Sequence, residues 1–449
     1  MSRTGIPGAP LRRRTVLVAA ALTLAAGAVA LPPAAAPTAA AATASTPSFD
    51  VLSTDATFQC RRSFGGGLYD AASNKTYITY NGPKMDVYVR AYDHATAAWE
   101  TPVLVKAQNQ TGQFDYHNYS TIVLLPNGRL AVFFNKHSVA SYMAVAPTAH
   151  SADGTWTTTK ISGDFNDYPM PVVVGEKLYF FYSRNDDVNY PYRSYKVMSS
   201  DDNGTTWSAP STIIDTGKTP DRFDEVYAFG VAPINGRIYI SYTLWGGPQG
   251  HARQGKNLYV SVYDPATGRM SNAAGQDAGN TVNSADLSAH LVRAASPASS
   301  GDFYSTHPIQ YSQVWATDAG QIYVGFGEAV NGQRNVRYGR LNGSTWEIGT
   351  VKSGTAQFFD MVKTGTDDFE FLFANEDFTT LSSVVLRDGA TLAPVFDLPV
   401  DKAGTDADRI DHADYIENRN SISVMGTMVN YANQTDDYSG KWPVFTVKR

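Results

Sequence analysis

A turn followed by a short run of alternating apolar and aromatic residues occurs seven times in this chain: NKTYITY (74–80), GRLAVFF (128–134), EKLYFFY (176–182), GRIYISY (236–242), GQIYVGF (320–326), DDFEFLF (367–373) and NSISVMG (420–426). Alternation with period two puts successive side chains on opposite faces of a strand, and β-branched and aromatic residues suit a pleated, half-buried surface. A second β-like run precedes each copy and ends at the turn, as in STIVLLPNG, MPVVVGE and AFGVAPING. Most copies lead into a further hairpin such as VYVRAYDHATAAWETPVLV, so that each unit supplies about four strands. The copies recur at intervals of roughly 50 residues, a repeat length typical of propeller blades. One longer gap holds the Ser/Ala/Asn-rich stretch 273–305, which reads as an inserted loop.

Seven such units predict an all-β fold, a seven-bladed β-propeller with Asp-box type repeats, built as one domain over residues 46–449. The run SFDVLSTD (48–55) is placed to add a strand to the last unit and close the ring, because the C-terminal unit stops at WPVFTVKR. An open solenoid would need capping repeats, and none is evident. SDDNGTTW, Ser200 to Trp207, matches the pattern S-x-D-x-G-x-T-W, with partial relatives at DGTW (153–156) and GSTW (343–346). Such a box makes a hairpin turn and packs its Trp between strands, so it points to architecture and not to chemistry.

Ahead of the repeats, Arg12 to Arg14, an apolar run from Thr15 to Leu31 and an Ala/Pro/Thr stretch read as an export signal of the Sec or twin-arginine type, with residues 1–45 as leader. The protein is therefore expected to be secreted. Cys60 is the only cysteine, so no intrachain disulfide can form and the core must hold the fold; Cys60 itself reads as a small buried hydrophobe. A net charge of -6 without any basic run argues against nucleic acid, and no second apolar segment is long enough to cross a bilayer. A monomer is expected.

The segment FDYHNYSTIVLLPNGRLAVFFNKHS (114–138) carries His117 and His137 on either side of Pro126-Asn127-Gly128. A hairpin of residues 119–125 and 129–136 about that turn makes the two histidines neighbours across its open end, since opposed residues lie about 4.5–5.5 Å apart. Tyr116, Asn118 and Tyr119 crowd the same segment, and the next unit offers Tyr182, Arg184, Tyr190, Tyr192 and Arg193 at the corresponding end. Glycoside hydrolysis usually needs two carboxylates flanking the bond, and no Asp/Glu pair stands out. β-Elimination beside a uronic acid needs a cation or donor on the carboxylate, a base for the C5 proton and an acid for the C4 oxygen. Arg, His and Tyr suit those tasks.

These motifs resemble the BNR-repeat propeller lyases, in particular the ulvan lyases that cleave an algal rhamnose-uronate sulfated polysaccharide. The resemblance rests on D-x-H-N-x-(S/T) at 115–120, N-x-H at 135–137, the YP-x-P strand leading to LYFFYSR, and the box that follows, within residues 56–270. It implies that His117 and Tyr182 are the catalytic His and Tyr, that His137 is a second active-site His, and that Arg193 neutralises the substrate carboxylate, with Arg184 or Arg222 as alternatives. His117 or Tyr182 would remove the C5 proton and the other would protonate the leaving oxygen. Asn118, Tyr116, Arg184, Tyr190, Arg222 and His251 would contact the anionic polysaccharide. No redox or nucleotide cofactor is required. Some relatives hold a structural metal, in certain cases on cysteines that Cys60 alone cannot replace, and no metal ligands are assigned. The alternatives are a propeller hydrolase of the sialidase or rhamnosidase kind, for which CRRSFGG is a poor Arg-Ile-Pro substitute, and a lectin-like binder. Asp186-Asp187 and Asp201-Asp202 read as loop and turn residues, and His412 as a packed or capping residue.

Overall fold

The computed structural model describes residues 46–57, 65–111, 119–135, 138–163, 165–186, 192–219, 222–246, 257–295, 308–354, 357–400, 405–430 and 442–449. Among them the fold is all-β, with helix confined to one four-residue turn, Leu287–His290, and a short 3-10 turn, Pro83–Met85. Each of the seven sequence repeats forms the second strand of an antiparallel group: Lys75–Asn81, Arg129–Asn135, Lys177–Asn185, Arg237–Gly246, Ile322–Val330, Phe369–Ala374 and Ile422–Val429. Five groups are separate sheets. The third and fourth merge into one eleven-stranded sheet through a single parallel pairing, Arg193 with Glu225.

We number the groups units 1 to 7 (67–106, 120–160, 166–214, 222–293, 309–352, 357–399 and 409–448). The first strand of each unit lies against the first strand of the next. From unit 7 the chain of neighbours returns to unit 1, where the Tyr69 N–H donates to the Glu417 carbonyl at 2.8 Å and the Glu417 N–H to the Gly67 carbonyl at 3.0 Å. Ser48–Ala56 pairs antiparallel with Trp442–Lys448, so the two ends of the described chain share the sheet of unit 7, as the sequence predicts.

Strand alternation gives every unit two apolar faces, and each is buried by a neighbour. Leu68, Val89, Ile122 and Val132 pack between units 1 and 2, and Phe133, Met143, Phe180 and Tyr182 between units 2 and 3. The series continues around to Leu52, Ile78, Met425 and Val444, between unit 7 and unit 1. Burying one such side chain contributes about 1.5–3 kcal/mol. Where the later halves of the first strands meet, a cavity of about 480 Å³ is lined by Leu68, Val123, Val172, Val231, Trp315 and Val362 among others.

The Ser200–Trp207 turn follows its sequence pattern closely. Ser200 Oγ accepts from the Gly204 N–H at 2.8 Å, Asp202 Oδ1 accepts from the Thr206 N–H at 2.8 Å, and the Trp207 ring leans on Phe133 and Phe180. Hydrogen bonds from Thr206 and Ser200 hold the Asp202 carboxyl down at about 2. The described part of the insertion, residues 273–295, is more regular than a loop reading expects: it carries short strands at Asp277–Gly279 and Leu291–Arg293 and the helical turn that buries His290 against Ser261 Oγ at 2.8 Å. Val282 accounts for the difference, since its backbone bonds to Ile213 and Asp215 anchor the insertion to unit 3.

In units 3 to 7 the pairing of the first two strands slips by a β-bulge, between Asp167 and Met170, Ala228 and Gly230, Gln310 and Ser312, Phe358 and Asp360, and Ile410 and His412. A bulge inserts an extra residue and re-aims its side chain. Tyr168 (φ 59°) and Tyr311 (φ 51°) sit at two of these positions in left-handed backbone, an uncommon conformation for a bulky residue.

Unit 7 is also tied to unit 6 by charge. Glu370, 4% exposed, receives the Arg449 guanidinium through both carboxylate oxygens and Arg419 Nη2 at 3.3 Å. Burial pushes the Glu370 carboxyl up, but Arg449, Ser383 and Arg419 outweigh it and hold the pKa below its ordinary value of 4.5. The pair's stabilisation is thus complete above that value and is lost as the pH falls below it. Arg449→Ala is expected to destabilise the protein by about 2 kcal/mol, less than the roughly 3–5 kcal/mol of a fully uncompensated buried charge because Arg419 remains. Denaturant unfolding at neutral pH and at pH 3 checks this, and the loss should shrink on acidification.

Candidate active site

The hairpin of unit 2 has the predicted centre. The Gly128 N–H donates to the Leu125 carbonyl at 2.8 Å, Gly128 takes φ 78°, and the register runs without a shift from Leu124↔Leu130 to Ser120↔Phe134. Tyr119, just before the first strand, is fully buried. Asn135 closes the second strand and donates through Nδ2 to the Asn166 carbonyl at 2.7 Å. Beyond residue 137, the Ser138 N–H donates to Asp167 Oδ1 at 2.7 Å and Val139 bridges to Asn166. Both flanks of residues 136–137 are therefore held by the start of the first strand of unit 3. His117, His137, Tyr116, Asn118, Tyr190, His251 and Cys60 lie outside the described residues.

On the second strand of unit 3, Leu178, Phe180 and Tyr182 face unit 2, and Arg184 follows at the next position of the same face. This strand finishes at the end of the molecule where unit 2 begins its first strand and ends its second. Tyr182 is 1% exposed and stacks on Phe180 with ring centroids 5.2 Å apart. Burial pushes its hydroxyl up to about 12, against the pull of Arg184 and with a small push from Asp186. Arg184 remains partly exposed and holds Asp186 only loosely, with Nε to Oδ1 at 3.4 Å. Asp186 in turn accepts from the Ser194 N–H at 3.1 Å, the loop role expected of it.

Arg193 opens the third strand of unit 3 and points inward. It is 3% exposed; Nη1 meets Asp167 Oδ2 at 2.7 Å and Nε meets Glu225 Oε1 at 3.0 Å, with both carboxylates buried. Its guanidinium lies over the rings of Tyr168 (5.8 Å) and Tyr227 (5.2 Å). Burial alone would lower its basicity; Tyr227, Tyr168, Asp167 and Glu225 reverse that and raise it, so the charge is secure. The sequence reading has Arg193 gripping a substrate carboxylate, whereas the structure gives it two carboxylates of the protein. Arg222 pairs through its backbone with Thr219 at the start of unit 4.

Sequence reasoning missed this interior layer. Asp167, Glu225, Tyr168 and Tyr227 surround Arg193, and Tyr119, Phe229, Trp245 and Tyr311 extend the aromatic cluster, with Tyr227 stacked on Trp245 at 4.4 Å. The available signal was an acidic residue one or two positions before a tyrosine at the start of two successive units, NDYPM and DEVYAF. His412 is packed as expected, 2% exposed between Tyr311 and Phe359, with Nε2 on Asp414 Oδ1 at 2.7 Å. Among the described residues no group of three or more His, Cys, Asp or Glu side chains is arranged to hold a metal ion.

The chain matches the family described as BNR repeat-containing family member over residues 75–352. Among curated proteins it is 23% identical over 232 residues to Ulvan Lyase-PL25 of Pseudoalteromonas sp. (strain PLSV), an alignment spanning 45% of this chain and 46% of that protein. It is also 23% identical over 233 residues to the ulvan lyase of Alteromonas sp. (strain LOR), spanning 45% of this chain and 47% of that protein. The chain thus covers about half the length of the curated relatives it matches. Among solved structures it superposes on a PL25 ulvan lyase bound to GlcA(1-4)Rha3S, with TM-score 0.69 at 16% identity over 88% of this chain and 94% of that one. A second solved polysaccharide lyase superposes with TM-score 0.59 at 11% identity over 89% of this chain and 92% of that one. At these identities the superpositions establish a shared fold. With the family match covering more than half of its length, the chain belongs to the BNR repeat-containing family.

Proposed function

We propose that this protein is an exported polysaccharide lyase, a seven-bladed β-propeller with an Asp-box turn in unit 3, that cleaves a sulfated rhamnose-uronate chain of the ulvan type by β-elimination. One observation carries the reading: Leu178, Phe180 and Tyr182 face unit 2, with Arg184 next on the same strand face, at the open end of a unit 2 hairpin whose register is unshifted from Leu124↔Leu130 to Ser120↔Phe134. His117 and His137, which lie outside the described residues, are taken from the sequence as the partners of Tyr182 and Arg184. Two histidines, a tyrosine and an arginine are the groups this reading calls on. The ulvan lyases among the relatives supply the substrate class.

In this mechanism His117, neutral above its ordinary pKa of about 6.5, removes the C5 proton of the uronate. The C5 electron pair forms the C4=C5 double bond as the C4–O bond breaks. Tyr182 gives its proton to the departing oxygen. A hydroxyl pushed up to about 12 stays protonated at neutral pH, which suits it to the acid role and leaves the base role to His117. Arg184, partly exposed and loosely paired, takes the uronate carboxylate together with His137, lowering the barrier to C5 deprotonation. Asn118, Tyr116, Tyr190, Arg222 and His251 are the further polysaccharide contacts this reading assigns from the sequence. Electrons and protons balance without any redox partner.

Incubating the mature chain with ulvan should produce ultraviolet absorbance from the unsaturated uronate in step with new reducing ends. Reducing ends without absorbance would mean hydrolysis, and saturable binding without either would mean a lectin. Tyr182→Phe should lower kcat by about 100-fold or more while changing unfolding stability by less than about 1 kcal/mol, because the ring packing is kept. Near-normal turnover in that variant and in His117→Ala would remove the mechanism. Activity should rise as the pH passes through the His117 pKa and should fall again only toward the Tyr182 value of about 12. A pH–rate profile of kcat/KM checks both limbs, and an alkaline limb close to neutrality would contradict the assignment.

A further inference from the structure

Glu328, near the end of the second strand of unit 5, gives each carboxylate oxygen to a different arginine. Arg293, the last residue of the short strand Leu291–Arg293 in unit 4, donates through Nε to Oε1 at 2.6 Å. Arg337, on the third strand of unit 5, donates through Nε to Oε2 at 3.1 Å and through Nη1 to Thr350 Oγ1. The Glu328 side chain is 1% exposed, whereas Arg293 is 37% and Arg337 23% exposed. A guanidinium carries five N–H donors in a fixed fork. Among the described residues Arg293 uses one of them and Arg337 two, and no other acidic side chain pairs with either. Two cations on one carboxylate leave a positive charge in surplus, held in a fixed orientation with donors to spare, which is what an oxyanion receptor requires.

The pair lies at the end of the molecule that carries Tyr182 and Arg184. The parallel pairing of Arg193 with Glu225 sets the second-strand ends of units 3 and 4, Asn185 and Trp245, at one end. Arg293 is opposite Leu258, where the third strand of unit 4 starts, and Glu328 is opposite Ile309, where unit 5 starts. Tyr311 near that start packs on Phe229 of unit 4, with ring centroids 5.7 Å apart. Trp245 and Tyr311 are both partly buried rings at these strand ends, and aromatic faces of this kind suit the C–H faces of sugar rings. We propose that Arg293 and Arg337 form a subsite that binds a sulfate ester of the polysaccharide, two units away from Tyr182 and Arg184; the identity of the polysaccharide rests on the lyase reading. A carboxylate has two oxygens and is satisfied by one guanidinium fork, whereas a sulfate ester has three terminal oxygens and receives two guanidiniums at once. The subsite touches no reacting atom, so it acts on affinity for the sulfated chain and not on the rate of bond breaking.

The test compares Arg293→Gln, Arg337→Gln and Arg337→Lys with the wild type on ulvan and on chemically desulfated ulvan. Steady-state kinetics give KM and kcat, and titration calorimetry in a Tyr182→Phe background gives Kd without cleavage. Each glutamine variant should raise KM and Kd for ulvan by about 5- to 30-fold with kcat changed less than about twofold. For the desulfated chain, both constants should stay within about twofold of the wild-type values, because the group that the pair binds is gone. Arg337→Lys keeps the charge without the fork and should fall between wild type and Arg337→Gln. Every single variant leaves one arginine on Glu328, and a melting curve checks that the fold is kept; if a glutamine variant does not fold, Arg337→Lys decides. Unchanged affinity for ulvan in the variants would overturn the proposal. Equal losses on both chains would assign the pair to the uronate carboxylate and overturn the sulfate assignment. Wild-type protein that binds ulvan without cleaving it would remove the lyase reading alone, since calorimetry still reads the subsite. A protein that neither cleaves nor binds ulvan would overturn both.

Discussion

Among the described residues, no unit has a core of its own. Each antiparallel group exposes two apolar faces, and the clusters that bury them lie between neighbours, from units 1 and 2 around to units 7 and 1. The chain ends must therefore be joined, and two devices do this: the pairing of Ser48–Ala56 with Trp442–Lys448 and the Leu68–Glu417 contact between the outermost units. A sequence with one cysteine has no covalent means of closing such a chain. Interdependence of this kind favours cooperative unfolding, because an open unit leaves two neighbours with exposed apolar faces.

The same architecture explains where chemistry can sit. Strand alternation commits the faces of each unit to packing, which leaves the strand ends and the connections between them to carry reactive groups. At one end, the first strand of unit 3 begins beside the second-strand exit of unit 2, and Asn166 and Asp167 hold that junction. Arg193, buried behind it, is surrounded by Tyr227, Tyr168, Asp167 and Glu225, which raise its basicity against the effect of burial. Tyr182 and Arg184 occupy successive positions on one strand face, yet one is packed and the other partly exposed. A protonated donor and an accessible cation thus arise from adjacent places in a single stripe.

Much of this was legible in the sequence because it depends on short-range pattern. All seven repeats became second strands, Asn127 marked the centre of its hairpin, and SFDVLSTD supplied the strand that joins unit 7. The Ser200–Trp207 turn was legible for the same reason, since its hydrogen bonds close within a few residues. The bulges were not, because one extra residue opposite a partner strand leaves no trace in a single strand's alternation. Nor were the partners of Arg193, since Asp167 and Glu225 lie 26 and 32 residues away and meet it only once the strands of units 3 and 4 are assembled. Arg193 was picked out by its residue type, but its surroundings give it a different environment from the one its type suggested.

The central claim is that the groove breaks its substrate by elimination. Digestion of ulvan in heavy-oxygen water, followed by mass spectrometry of the products, tests it most directly. Elimination moves a proton and a bonding pair within the sugar and takes no atom from water, so the account predicts an unsaturated end and no heavy oxygen acquired during bond cleavage. A saturated end, with heavy oxygen placed by cleavage itself beyond the slow exchange of a preformed reducing end, would contradict it.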